Sequence, residues 1–334
     1  MHGRRTSAAR CDSFLSTRVR CSVLLTALSL RRALVLNAAM DTSLDRFTQL
    51  RPRVLGVAYR MLGSMAEAED VAQEVWLRWN GTDRDAIENA EAWLVATTTR
   101  LAIDELRMAR RTREHYVGIW LPEPVLTDDT STPERLHEAA SDLSVAFLAV
   151  LERLAPEARA AFLLHDVFDR DYPEISRILG KSEAACRQVV HRARARLREE
   201  RPLHPVPHRT HQQLLQAFTD ALDKGDLKSM IALMDTSAQL MGDGGGIVTS
   251  FPKPMLGGAR IAQLLFAPTL RRRAELRMVP AFVNGRMGLL RYFGDHLESA
   301  MSFDTDGVRI TQVLVQRNPN KLARIIAQQS LVLR

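Results

Sequence analysis

The sequence predicts a multidomain chain in which two all-α modules precede an α+β module, and three observations carry that reading. Apolar residues recur at helical spacing from Leu44 to about Arg113 and again from about Asp142 to Arg201. Prolines cluster between and after these blocks, at Pro122, Pro124 and Pro133 and then at Pro202, Pro205 and Pro207. Beyond them, strand-like runs separated by Gly, Asn and Asp turns replace the helical period. With 334 residues, 46% hydrophobic and 25% charged, the chain has material for real cores, and wholesale disorder is excluded.

Residues 1–39 read as an extension outside the fold. They hold Arg4, Arg5, Arg10, Arg18, Arg20, Arg31 and Arg32 against Asp12 alone, and so carry +6 of the net +7. The pI near 9.7 therefore does not mark the remainder as a polyanion binder, and any basic patch must be local. The apolar run 23–36 is cut by Arg31 and Arg32, too short and too charged for a membrane span. Met40 is the expected start, with the preceding residues either upstream sequence or a disordered tail. Cys11, Cys21 and the distant Cys186 imply no disulfide framework, which fits a reducing, cytoplasmic setting.

The first module covers 40–113. Gly63 and Ser64 punctuate it, and Ser64-x-x-Glu67 is a capping box that opens a new helix. In that helix, over 66–79, Ala68, Val71, Ala72, Val75, Trp76 and Trp79 share one face. Asp70, Gln73, Glu74 and Leu77 share the other, which is either a solvated face with one stray leucine or a docking surface with an apolar anchor. The next helix, 91–113, turns Leu94, Val95, Thr98, Leu101, Ala102, Leu106 and Ala109 inward, and projects Trp93, Arg100, Asp104, Arg107 and Arg111. An aromatic among arginines suits single-stranded DNA, since rings stack on bases while guanidinium groups meet phosphates. It equally suits a tryptophan lying on a neighbouring helix beside snorkelling arginine stems.

A tether, 114–140, leads to the second module, 141–201. Pro156 opens one helix, Tyr172 to Leu179 forms a short one, Gly180-Lys181 turns, and Ser182 with Glu183 starts a third. These are the proportions of a helix-turn-helix. Ala185, Cys186, Val189, Val190, Ala193 and Leu197 face inward, while Arg187, Gln188, His191, Arg192, Arg194 and Arg198 face outward. The outward set can read purine edges in a major groove, or simply be a solvated basic face. Cys186, on the buried side, reads as a small core hydrophobe.

The third module, 204–334, opens with amphipathic helices: Leu214, Leu215, Phe218 and Leu222 in the first, then Leu227, Met230, Ile231 and Met234 behind an Asp226 N-cap. Strands are expected over 247–251, 274–283, 287–293, 296–303 and 308–316. No metal-ligand spacing, phosphate loop or G-x-S-x-G elbow occurs, so no catalytic residue, metal or cofactor is expected. His165-Asp166 reads as a structural pair. Asp243 with Gly244, Gly245 and Gly246 is either a hairpin turn or a place of close backbone approach.

Taken in order, these residues resemble the extracytoplasmic-function (ECF) group of bacterial sigma factors. The stretch from Arg51 to Gly63 and Ala68-Glu-Asp-Val-Ala-Gln-Glu-Val-Trp-Leu-Arg-Trp79 resemble region 2. Ala92-Trp-Leu and Arg100-Leu-Ala-Ile-Asp-Glu-Leu-Arg107 resemble its minus-ten recognition segment, and 151–201 resembles the region 4 helix-turn-helix that reads the minus-35 element. Trp120-Leu-Pro-Glu-Pro124, Asp243-Gly-Gly-Gly246 and Asn318-Pro-Asn-Lys-Leu322 resemble the SigJ-like subgroup, whose sigma domains precede a SnoaL-like (NTF2-like) cone. The resemblance spans about 41–325. Residues 1–39 have no counterpart in it, and Asn320 stands where an acidic residue is usual.

The resemblance implies a non-enzymatic sigma factor whose partners are core RNA polymerase (β′ clamp and β flap) and promoter DNA, with no membrane. Asp70, Gln73, Glu74 and Leu77 would meet the β′ clamp. Trp93, Arg100, Asp104 and Arg107 would touch the melted minus-ten element, and Ser182, Arg187, Gln188, His191 and Arg192 the minus-35 groove. The tail would regulate the factor and offer a pocket for a small ligand of unknown identity. Its segment Asp243, Gly244, Gly245 and Gly246 would pack on Trp120, Pro122 and Pro124. The competing readings are a plain helix-turn-helix regulator, and a regulator fused to a SnoaL-like isomerase or cyclase using Asp243 or His296.

Overall fold

The computed structural model describes residues 45–83, 86–113, 116–127, 144–200, 206–272 and 274–332. The expectations for residues 1–39, and for Pro133 in the tether, lie outside them.

Helix α1 (45–62) ends at Gly63, whose φ of +68° no side chain adopts easily and whose missing Cβ leaves room for the Trp120 ring. Ser64 Oγ then accepts from Glu67 N and starts α2 (Met65–Gly81). Asn89 Oδ1 accepts from Ala92 N at the start of α3 (Ala90–Arg113). After Ser144, which caps α4 (Val145–Leu151), come α5 (Pro156–Phe162), opened by its proline, and a π turn at Leu163–Val167. Asp171 caps α6 (Tyr172–Leu179), and Gly180 ends it in the left-handed conformation that turns the chain into α7 (Glu183–Glu200). The apolar faces of both helical modules form one continuous core, with Trp79, Leu94, Leu151, Ile175, Cys186 and Val190 among its buried members.

The tail begins with α8 (His208–Lys224) and α9 (Leu227–Leu233), the latter capped by Asp226. It continues through β1 (Met234–Asp243), β2 (Met255–Leu256), α10 (Gly258–Arg271), β3 (Leu276–Val283), β4 (Arg286–Phe293), β5 (His296–Thr305), β6 (Ile310–Gln316) and α11 (Pro319–Val332). The strands form one sheet in the order β2-β1-β6-β5-β4-β3, antiparallel except for the parallel pair β1 and β6. Strand alternation sorts side chains to two faces. Leu240, Leu289, Met301, Val313 and Val315 pack with Phe218 and Ile261 of the helices on one face. Leu290, Tyr292, Ala300 and Leu314 pack on the other with Leu322 and Ile325 of α11, Leu121 of the tether and Val145 of α4.

One expected strand is absent. Residues 247–251 form no strand, because Ile247 N and Val248 N both fold back onto Gly244 O at 3.1 Å. The strand of this region comes earlier, as β1, and starts at Met234, the residue that also completes the helical spacing of α9. Val308, expected at a strand start, is 73% exposed in the turn before β6. No helix among the described residues is long and apolar enough to cross a membrane.

Candidate functional site

Helix α2 buries Ala68, Val71, Ala72, Val75 and Trp79 and so must present its opposite side. There Asp70 and Gln73 are exposed, Glu74 accepts from Arg78 Nε at 3.0 Å, and Leu77 is 58% exposed. A large apolar side chain held in solvent among acceptors is an anchor with a polar rim.

Beside it, the Trp93 ring of α3 lies against Trp79 at 5.6 Å and is only half-buried. Trp93, Thr97 and Arg100 face Arg78, Gly81 and Thr82 across a recess of about 410 Å³. A ring wall flanked by two guanidinium groups can stack a base and hold its phosphate. Arg78 and Thr97 escaped the sequence reading, because the recess is formed between two helices and no single helical period displays it.

The donors on this face are already engaged. Arg100 donates through Nε to Ile178 O at 3.2 Å and through Nη2 to Arg177 O at 3.0 Å, the last carbonyls of α6. Arg107 bonds Asp104 Oδ1 at 3.0 Å and Glu157 Oε1 at 2.5 Å. The Glu157 hydrogen bond raises the Arg107 pKa, and the reciprocal bond holds the Glu157 carboxyl below its ordinary range. Thus the face expected to meet melted DNA closes on the helix-turn-helix.

In the helix-turn-helix, Ser182 Oγ accepts from Ala185 N, and Gln188, His191 and Arg192 are exposed on α7. Arg187 pairs with Glu183 at 2.9 Å and stands 5.1 Å over the Tyr172 ring. Arg194 corrects the outward assignment: it turns to Asp166, bonding both carboxylate oxygens, and this pairing raises its pKa. His165 Nδ1 also lies 2.8 Å from Asp166, with its ring against Tyr172.

The tether and the tail meet at Asp243, which is completely buried. Its carboxylate accepts from Tyr116 OH at 2.6 Å, Leu121 N and Gly245 N at 2.9 Å, Gln316 Nε2 at 3.3 Å and Lys321 Nζ at 2.7 Å. Lys321 also donates to Leu121 O at 2.6 Å and stands 4.1 Å over the Trp120 ring. Gln316 reaches Leu121 O and Pro122 O, Pro124 is buried, and Asn318 Nδ2 donates to Tyr116 OH at 3.0 Å. Gly244 supplies the carbonyl of the turn, and Gly246 lies against Val117. The structure therefore brings Trp120, Pro122, Asp243 and the glycine run to one place.

The same tether is bonded to the first module. Glu123 N donates to Gly63 O, and Glu123 Oε2 accepts from Met65 N at 2.8 Å, at the N-terminus of α2. Tyr59 OH donates to Glu123 O and accepts from Asn284 Nδ2, both at 2.6 Å, and burial pushes the Tyr59 phenol pKa far up. Asn284 exchanges two bonds with Val125, and Leu126 bridges Val283, so the tether extends the β3 edge of the sheet. Tyr59, Tyr116, Asn284 and Lys321 were all missed as site residues. Asn284-Gly285 advertises only a turn, and nothing local tells that its amide reaches Tyr59.

Comparison with known proteins agrees with this layout. Residues 46–112 match the family described as sigma-70 region 2, and residues 144–197 the family described as sigma-70, region 4. The ECF RNA polymerase sigma factor SigJ of Mycobacterium tuberculosis is 36% identical over 252 residues, 73% of this chain and 79% of that protein. The probable ECF RNA polymerase sigma factor SigI of the same species is 27% identical over 283 residues, 83% of this chain and 94% of that protein. The crystal structure of SigJ superposes with a TM-score of 0.67 at 31% identity, covering 84% of this chain and 98% of that one.

Proposed function

We infer the task of each surface from one premise: the chain belongs to the ECF group of RNA polymerase sigma factors, and it directs transcription initiation with core polymerase and promoter DNA as partners. The region 2 match removes the plain helix-turn-helix regulator, which would leave α2 and α3 without a task. Sigma factors perform no covalent chemistry; they bias polymerase toward an open promoter by binding it preferentially. In this reading Asp70, Gln73, Glu74 and Leu77 dock on the β′ clamp. Trp93, Arg100, Asp104 and Arg107, with Arg78 and Thr97, receive the melted minus-ten strand. Ser182, Arg187, Gln188, His191 and Arg192 enter the minus-35 major groove, and the β flap takes the remaining surface of region 4.

In this reading the conformation with α3 bonded to α6 is the closed, regulated one. Elements named minus-ten and minus-35 lie about 25 base pairs apart, about 85 Å of duplex at ~3.4 Å per pair. Arg100 cannot hold the carbonyls of α6 and a distant strand at once. The observation that carries the reading is that donors to the buried Asp243 carboxylate come from both the tether and the tail, which fixes the tether and thereby favours closure.

Run-off transcription with purified core polymerase tests both halves. Leu77→Asp should abolish promoter-dependent transcripts, and Asp243→Asn should raise them while co-elution with core enzyme is unchanged. Transcripts indifferent to Leu77→Asp remove the docking assignment, and transcripts indifferent to Asp243→Asn remove the tail's control.

A further inference from the structure

The face of the sheet opposite the tether encloses a cavity of about 300 Å³, within the size range of small-molecule sites. Its walls are apolar: Leu240 of β1, Phe251, Leu264 and Leu265 of α10, Phe293 of β4 and Val315 of β6. Gly242 lets the Ser250 side chain pack close to β1 at the cavity wall, since a Cβ there would fall 2.5 Å from Ser250 Oγ. Three charged side chains share this lining, one each from Arg291, Glu298 and Arg317. Arg291 Nε and Nη2 both reach Glu298 Oε2 at 2.6 Å, and Arg317 Nη2 reaches Oε1 at 2.6 Å.

Two guanidinium groups against one carboxylate leave a local charge of +1 inside an apolar wall. Burial alone would raise the Glu298 pKa, yet the Arg291 charge, the Ser299 hydroxyl and the Arg317 charge together hold it below the usual carboxylate range, so the carboxylate is ionised and one guanidinium charge is unbalanced. Donors remain as well. Arg317 Nη1 meets Thr249 O, while Arg317 Nε and Ser250 Oγ are buried without a hydrogen-bond partner among the described residues. Orphaned donors beside a cavity need an explanation, and folding alone supplies none.

We propose that this cavity is a binding site for a small apolar carboxylic acid, whose ring or short hydrocarbon body fills the Leu240, Phe251, Leu265 and Phe293 walls while its carboxylate takes the unpartnered Arg317 Nε and Ser250 Oγ donors beside the Arg291 charge. A charged N–H donor bonds a carboxylate more strongly than a neutral one, and a dry wall strengthens the pairing. The site goes beyond the promoter-binding reading and does not depend on it. It does stand directly behind the tether joint, because Gly242 and Arg317 face the cavity while their neighbours Asp243 and Gln316 face the tether, and Arg317 N donates to Asp243 O at 2.7 Å.

Isothermal titration of the full chain with three probes of one shape tests the proposal: 2-naphthoate, 2-naphthamide and 2-naphthylmethylammonium. The carboxylate should bind about tenfold more tightly than the neutral amide, with the cation weakest. Arg291→Gln and, separately, Arg317→Gln should each narrow that ratio. Equal binding of acid and amide, preference for the cation, or no binding of any probe overturns the proposal. The probe comparison on the unaltered chain stands even where a variant fails to fold. Because no polymerase is present, a failure here leaves the sigma-factor reading intact.

Discussion

Two polar joints tie the parts of this molecule together, and they are built differently. At the tail–tether joint the Asp243 carboxylate is fully buried and receives five donors, and the Lys321 side chain that pairs with it is 13% exposed. At the joint between α3 and the helix-turn-helix, Arg107 is 56% exposed and Glu157 31%, and Arg100 is held by backbone carbonyls at the end of a helix. A buried charge whose partner is removed is left uncompensated, whereas exposed pairs exchange readily with water and ions. The tether is therefore fastened to the tail, and Arg100 and Arg107 are only latched. Opening is expected to release the latch first, with the tail still gripping residues 116–127.

The largest effect follows from breaking the buried joint. Asp243→Asn leaves the Lys321 ammonium, the Leu121 amide and the Tyr116 hydroxyl around a neutral group, and removing one partner of a buried pair costs about 3–5 kcal/mol. Urea unfolding of the full chain should show a loss of that size. A loss below about 1 kcal/mol would mean that water reaches Asp243 and that the contrast between the joints is false.

A smaller effect is expected at Tyr59, whose hydroxyl links the first module, the tether and the tail through Glu123 O and Asn284. Tyr59→Phe leaves both partners unsatisfied and should cost about 1–3 kcal/mol near neutral pH. The folded-state pKa lies above the unfolded value of about 10, so the stabilisation is fully present below pH 10 and is lost as pH rises past it. The stability gap between the two chains should accordingly shrink above about pH 10. A gap that stays constant to pH 11 would show that the phenol is solvated.

What could be read in the sequence divides along the same line. Caps and turns are local, so Ser64, Gly180 and Asp226 announce helix boundaries that the structure bears out. Helical spacing likewise separates Leu77 from Trp79 and Gln188 from Cys186, and so foretells which side chains reach solvent. It fails wherever an outward side chain meets another element. Arg194 looks solvent-facing from its own helix but finds Asp166, and Arg100 finds the end of α6. Strand β1 is obscured because Met234 satisfies both the period of α9 and the alternation with Ala238 and Leu240. The Tyr59–Asn284 contact joins positions 225 apart, and neither residue's immediate neighbours signal it.

The smallest effect belongs to the latch, and it sharpens the contrast most directly. Under the proposed minus-ten role of Arg107, Glu157 would compete with DNA for it, because a phosphate and a carboxylate present the same acceptor to one guanidinium. Glu157→Gln removes the competing charge and leaves the buried joint untouched. A single-stranded decamer titrated against the full chain at fixed salt should then bind about two- to fivefold more tightly, the modest gain expected when the lost competitor is an exposed ion pair. Freeing one cation for one more phosphate contact should also steepen the logarithmic salt dependence by about 0.7. Equal slopes in the parent chain and Glu157→Gln would place Arg107 outside the DNA contact, and the α3 joint would then be structural packing and not a latch.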